Sequence, residues 1–543
     1  MAIAQPINPM TSRLTVKGLL LWGLQTLGVL AWLAQLVIDT SEANLVSATL
    51  VLASSSLLLQ YLRVSTAMTD NPVSSFALLG FTLSSQFIAL IAQSADLAPF
   101  VQHLRAPVLT FTVLGTVHVV AVLTHFVHRH FQPFSNASKL IAEKVYAPLN
   151  IHRIPVPEML WVFGLIGIFA YVFGGGAAGD VGGKFLAGFV YYMWAPFLIP
   201  LYLNVVGHSY CSPTRQYPAL FAYMSLIIVI ALIKNYRATL FMAPIQVFFL
   251  FLMHQCRSAE PVSKIFIKRL LIIATLGLVA LAPLADMVTA MEIARADRGK
   301  ATAVEMMENT AKAFVDKPKL QAYRDEGLLT QMLKPYDERY LGNPLLGRFT
   351  ETKFHDNMLH FGSLFGDDER ERLIRDQFNK MLAIVPQNII DFLEIKFNKD
   401  DYFYSSGDFY LSLSHGASLG GFATGSIWAD LYVIFGWGFP LVAFLMLTPV
   451  FIIMDALSRF SPGMYITPAS MCAMWHLFLY GIGGDSIAGK VNQLTRGSIQ
   501  QIVLYALLVF AVATLLQLFK KRAFVEADDV ARAGNSDALA QTP

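Results

Sequence analysis

Charge is scarce in this 543-residue chain. Only 14% of its positions are Asp, Glu, Lys or Arg, where an ordinary soluble domain carries about 25%. Cysteine is scarcer still: Cys211, Cys256 and Cys472 are the three in the chain, and they lie too far apart for a zinc motif or a disulfide framework. So little polar surface excludes a soluble globule, a disordered chain and a nucleic-acid-binding protein. What is abundant is apolar: 55% of the residues are hydrophobic, Phe (40) outnumbers Gly (36), and the mean hydropathy is +0.52. This composition defines an all-α polytopic membrane protein. Arg13 and Lys17 lead into a long apolar run without a small-residue cleavage site, so that run is expected to be the first span and not a signal peptide.

A helix needs about 20 mostly apolar residues to cross roughly 30 Å of hydrocarbon. The rule predicts about twelve transmembrane helices, near 18–38, 44–63, 73–93, 107–127, 158–175, 184–206, 217–233, 238–254, 267–287, 427–454, 463–481 and 499–518. Only Lys234-Asn235-Tyr236-Arg237 separates the seventh from the eighth. A four-residue turn is the better reading there, because two charges at mid-membrane would be expensive. Lys and Arg set the direction. Arg13, Lys17, Arg63, the linker from His128-Arg129-His130 to Arg153, Arg215, the group from Arg257 to Arg269, Arg459 and Lys520-Lys521-Arg522 all fall on one side if both termini are cytoplasmic. Arg105, Lys184, Lys234 and Arg237 are the minority on the other.

Four regions are expected on this basis: an N-terminal bundle of about nine helices (1–287), a large helical periplasmic cap loop (288–426), about three C-terminal helices (427–522) and a disordered cytoplasmic tail (523–543). No internal repeat is evident.

Chemistry is expected where charges meet the outer ends of the spans. Arg237 offers a fork of donors for phosphate oxygens and Lys234 a point charge; the plain alternative is a snorkelling pair that anchors a hairpin. In the cap, Arg348 could hold a phosphate. His355 could act as a general base, since imidazole titrates near neutrality. Asp356 adjoins His355, so the two side chains diverge and form no dyad by sequence alone; a capped surface helix start is the alternative. His355 and His360 are one position too far apart for the i,i+4 spacing of a helical zinc pair. Asp408 precedes the small-residue run Gly420-Gly421-Phe422-Ala423-Thr424-Gly425-Ser426, which permits close backbone approach to a ligand or to another segment. Asp430 sits one turn inside the next helix. Arg496, with Lys490 nearby, stands just before the last span. His118, His125 and His476 read as isolated, packed histidines, with His125 at the interface.

The stretch Gly421-Phe422 to Gly425-Ser426-Ile427-Trp428-Ala429-Asp430-Leu431-Tyr432-Val433-Ile434-Phe435-Gly436-Trp437-Gly438 resembles bacterial oligosaccharide repeat-unit polymerases of the Wzy type. These enter the helix after their long outer loop with small residues, then an acid, an aromatic and Phe-Gly. The layout is similar too, and O-antigen ligases share much of it. Arg237 and Arg496 match outer-end arginines of the family, although the usual Gly-Ser-Arg-Gly context is absent around Arg237. The resemblance implies a GT-C-like, membrane-embedded glycosyltransferase of the bacterial inner membrane that uses no metal or other cofactor. Its substrate would be an undecaprenyl-pyrophosphate-linked oligosaccharide, with Arg237, Arg348, Arg496 and Lys234 on the pyrophosphate. His355, Asp356, Asp408 and Asp430 would be the candidate catalytic groups. Partners implied are membrane lipid and a chain-length-determining membrane protein. A transporter of lipid-linked glycans is the alternative from another class, though such proteins usually carry inverted repeats and charges at the bilayer midplane.

Overall fold

The computed structural model describes residues 15–174, 181–206, 210–257, 261–295, 302–331, 336–458 and 482–525. Among these, secondary structure is helical throughout apart from two isolated bridges, Thr15 to Pro261 and Pro155 to Phe524. Nine described helices are long and apolar enough to cross a membrane. In chain order the helices used below are α1 (Val16–Ile38), α2 (Glu42–Val64), α3 (Pro72–Ala95), α4 (Pro107–His130), α5 (Gln132–Ile141), α6 (Pro157–Phe173), α7 (Phe185–Asn204), α8 (Pro213–Ile233), α9 (Arg237–Arg257) and α10 (Lys264–Ala294). The cap contributes α11 (Ala303–Val315), α12 (Lys317–Gln331), α13 (Thr352–Ser363), α14 (Asp367–Ile384) and α15 (Ser406–His415). The last two described spans are α16 (Ile427–Ala456) and α17 (Ile487–Leu518). The expected span 463–481 lies outside the described residues.

Helix starts follow local chemistry. Ser41 caps α2 and Ser486 caps α17 through side-chain acceptance of the Asn44 and Gly489 amides, while Pro72 and Pro107 occupy the first turns of α3 and α4. Here proline loses nothing, since those amides have no partner inside the helix. The 234–236 turn does separate α8 from α9, with Asn235 in the left-handed region at φ 49°. α6 has 17 residues, shorter than the expected span.

The basic-rich links gather at one end of the bundle. Lys17 Nζ donates to the Ser65 carbonyl at 2.7 Å, Arg129 pairs with Asp70 at 3.2 Å, and His152 Nε2 meets the Ala456 carbonyl at 2.9 Å. Buried Asp455 binds that end together. It accepts from Asn71 Nδ2 (2.8 Å) and Ser74 Oγ (2.9 Å) and pairs with His128 Nε2 (2.9 Å). His125 is packed, as expected, but it is not isolated. It is fully buried, with Nδ1 2.7 Å from the Tyr61 hydroxyl and Nε2 2.7 Å from Ser74 Oγ. Residues four apart in sequence share a helix face, and this face of α4 meets hydroxyls of α2 and α3.

The tail departs from its expectation at its beginning. Val156 N donates to Ala523 O at 3.0 Å and Val525 N to Ile154 O at 2.9 Å, so residues 523–525 are docked; 526–543 lie outside the described residues. At the opposite end α10 runs past the expected boundary at 287. Its 31 residues measure about 46 Å at 1.5 Å per residue, more than the hydrocarbon requires. The excess enters the cap, where Asp286 binds Lys317 and Arg324 at 2.7 Å each.

Candidate functional site

The cap is fastened to the bundle at α13. Glu351 N donates to Ser84 O at 2.8 Å and Thr352 Oγ1 to Ser85 O at 2.7 Å. Both acceptors lie in a π-helical turn of α3, Leu83–Phe87, a distortion that re-aims helix backbone and often marks functional regions. α13 then presents His355 and Asp356 in different directions, since adjacent helical residues point about 100° apart.

Asp356 is fully buried and accepts from the amides of Arg105 and Ala106 at 2.8 Å each and from Thr110 Oγ1 at 3.3 Å, with Lys353 Nζ at 3.4 Å. It therefore caps α4, whose own N-cap residue, Ala106, makes no side-chain bond; a carboxylate is favoured at that positive helix end. Asp408 accepts from the amides of Gly420 (3.2 Å), Phe422 (2.8 Å) and Ala423 (2.9 Å) and folds the small-residue run. Two glycines near that run are required by packing. A Cβ on Gly425 would lie 2.3 Å from Asp485 O, and one on Gly407 2.4 Å from Ala423 O. Asp430 accepts from Ile487 N at 3.1 Å and from Ser406 Oγ at 3.4 Å, joining α16, α17 and α15. All three carboxylates thus hold backbone in place.

His355 differs. Its side chain is 3% exposed, Nδ1 lies 2.8 Å from Ser426 Oγ, and Nε2 makes no hydrogen bond. That nitrogen faces Glu351 Oε2 at 3.9 Å. Burial, reinforced by His118, lowers the imidazole to about 3, so it is neutral at physiological pH. Burial also raises the Glu351 carboxyl to about 8, opposed by the Lys490 charge. Glu351 was invisible to sequence reasoning, being an ordinary acid before a helix. The one available signal was its i,i+4 spacing to His355.

Beside this group lies a cavity of about 610 Å³, within the usual range of ligand pockets. At the cap end its described lining includes Ser405, Phe422, Thr424, Asp485, Lys490 and Gln493; elsewhere it is lined by Tyr146, Tyr191, Ile453, Leu457, Gln501 and Ile502. Leu457 adjoins Ala456 and Tyr146 packs edge-on against His152, so the cavity reaches towards the basic end. Lys490 is 2% exposed and its Nζ donates to Gln493 Oε1 at 2.9 Å.

The cations expected to converge do not line this cavity in the described residues. Arg348 pairs with Glu292 of α10 at 3.0 Å, and Asn235 donates to the neighbouring Met291 carbonyl at 2.9 Å, so Arg348 and the 234–236 turn meet the same turn of α10. Lys234 Nζ bonds to the carbonyls of Tyr171 and of Val172. The Arg237 side chain lies outside the described residues. Arg496 is exposed, next to cavity-lining Gly497, and its charge is felt by Lys399. Comparisons with family models, with curated proteins and with solved structures find no match.

Proposed function

We propose that the protein is a metal-independent glycosyltransferase of GT-C-like architecture. It would join undecaprenyl-pyrophosphate-linked repeat units into a bacterial surface polysaccharide or exopolysaccharide, in the inner membrane, with the cap in the periplasm. The observation that supports this most is the gradient along the cavity: Asp485, Lys490 and Gln493 at the cap end, and beyond them a lining that is mainly aromatic and aliphatic, with Gln501 among it. That distribution suits a lipid whose headgroup sits at the membrane boundary and whose chain extends inward. In the reaction a hydroxyl of one lipid-linked unit attacks the anomeric carbon of the growing glycan. The bond from that carbon to the pyrophosphate oxygen breaks, and the lipid pyrophosphate leaves with the electron pair. The hydroxyl proton passes to the neutral imidazole of His355, whose Nε2 makes no hydrogen bond. Lys490 at the cap end offsets the charge on the leaving group. A chain-length-determining membrane protein is the partner this reading implies.

The test is genetic and chemical. A deletion strain should accumulate single lipid-linked repeat units and lose polymer; normal polymer in that strain would overturn the reading. The reach of the cavity towards the basic end favours a second reading, transport of the lipid-linked glycan. In that case the accumulated units would stay inaccessible to a membrane-impermeant glycosidase added from outside.

A further inference from the structure

The geometry points to a membrane anchor on the cap: segment 387–403 lays its apolar tips into the adjoining lipid leaflet beside the start of α17. This depends on the membrane spans and not on the sugar chemistry. The start of α14 is an ordinary solvated face, with Asp367, Asp368, Arg370, Glu371 and Arg372 exposed. Beyond α14 the surface changes character. Ile389, Phe392, Leu393, Ile395 and Phe403 are all exposed, Phe392 at 83% and Phe403 at 73%. Large apolar side chains gathered in this way mark a contact with another molecule or with membrane.

The patch is a built surface. Ile390 is buried beneath it, Lys399 Nζ donates to the Val385 carbonyl, and Phe397 stacks on Tyr402 with ring centroids 5.1 Å apart. Asn379 of α14 donates to the Tyr402 hydroxyl at 2.9 Å. The turn Gln387–Phe392 is closed by Ile395 N, which donates to the Ile390 carbonyl at 3.1 Å. Its inward side is thus fastened, and its apolar groups are left outside.

Position identifies the occupant. α14 packs on the first turn of α17, where Ala488 N donates to Gln377 Oε1 at 3.0 Å. Burial lowers the Lys399 ammonium, Arg496 lowers it further and Asp391 acts in the opposite sense, so Lys399 has the patch on one hand and α17 on the other. Ile499, about 5 Å further along that helix than Arg496, is exposed on the span itself. The Phe403 ring meets Phe422 edge-on at 5.7 Å, and Phe422 lines the same cavity as Gly497 and Ser498. The patch therefore stands where α17 enters the hydrocarbon and continues its lipid-facing surface, which makes phospholipid the partner. Asp391, Glu394 and Lys396 are exposed among the apolar residues and set the depth. Their charges stay with headgroups and water, while the Phe, Leu and Ile side chains reach about 5–10 Å into the boundary.

The test puts the photoreactive residue benzoylphenylalanine in place of Phe392, of Phe403 and, as a control, of Asp367 in the full-length protein. Asp367 opens α14, whose 18 residues set it about 27 Å from the far end of that helix. Each protein is irradiated in nanodiscs of phosphatidylethanolamine and phosphatidylglycerol, and its mass is measured. The probes at 392 and 403 should gain the mass of a phospholipid, and the probe at 367 should not. Combining Phe392→Asp with Leu393→Asp, which alters exposed side chains alone, should remove the greater part of the adduct at 403. Adducts to a second copy of the chain, adducts at 367 as strong as at 392, or no adduct at 392 and 403 would each overturn the anchor. An undiminished adduct at 403 in the doubly substituted protein would do so too. None of these readouts involves polymer, so the anchor and the polymerase stand or fall separately.

Discussion

Two spans of similar hydropathy have opposite surroundings. α3 has a mean hydropathy of 1.7 over its most apolar window and is 78% buried there; α10 reaches 2.2 and is 0% buried. Hydropathy alone would rank α10 as the deeper helix. The difference lies in the polar side chains. α3 carries Ser74, Ser75, Thr82, Ser85, Gln86, Gln93 and Ser94, and several of these bond across to other helices: Gln86 to Ser54, Ser74 to Asp455, Ser94 to the Ala31 carbonyl. Between Ile265 and Leu284, α10 has Thr275 as its sole uncharged polar residue, and its packing is chiefly against cap helices α11 and α12. Lipid tails are as apolar as leucine, so small residues and hydrogen bonds, and not hydrophobicity, draw membrane helices together.

The largest effect should come from cutting the polar centre of the crowded region. Asp455→Ala strips acceptors from Asn71, Ser74 and His128 at once, and a loss of about 3–5 kcal/mol is expected, read as a lower unfolding temperature in one detergent. A loss under about 1 kcal/mol, within the ordinary cost of a single substitution, would mean that apolar packing alone holds α3.

A pH series sharpens the same contrast at the point where the cap meets α3. The Glu351 carboxyl is raised from 4.5 to about 8 in the folded protein, so the folded state holds a proton that the unfolded state releases. Its contribution is complete below pH 4.5 and is lost as pH rises to about 8. Glu351→Gln should flatten that decline, so the variant gains on wild type across this window and levels off above it. Parallel curves for the two proteins would remove the burial from the account.

The smallest effect is expected on the bare span. Leu278, 72% exposed on α10, should change stability by less than about 0.5 kcal/mol when replaced by Ala, measured by the same unfolding assay. A larger loss would show that another protein surface covers this face.

Much of the architecture was legible in the sequence because an apolar run of span length has few alternatives, and because the turn at Lys234-Asn235-Tyr236 could be argued from the cost of buried charge. The distribution of Lys and Arg among the links anticipated that Lys17 and Arg129 would fall at one end of the bundle. The site was less legible. Asp356, Asp408 and Asp430 have the composition of a catalytic set, yet each meets amides distant in sequence, and no local pattern announces a long-range cap. His125 was expected to be packed, but its partners, Tyr61 and Ser74, belong to other helices and left no local signal. Lys490 was noticed as a neighbour of Arg496, whereas its burial beside Asp485 and Glu351 is a product of packing between the 483–490 link and α13.

The long-range cap on α4 also bears on the order in which the molecule is made. Asp356 lies 250 residues after Ala106, whose amide it accepts. At the usual pace of synthesis, roughly 5–20 residues per second, α4 waits about 10–50 s before its acceptor leaves the ribosome. During that interval the amides of Arg105 and Ala106 lack the carboxylate that accepts from them in the folded protein. The start of an early helix is thus completed by a late segment, and the newborn bundle remains unfinished at that corner until the cap has been made and has folded back onto it.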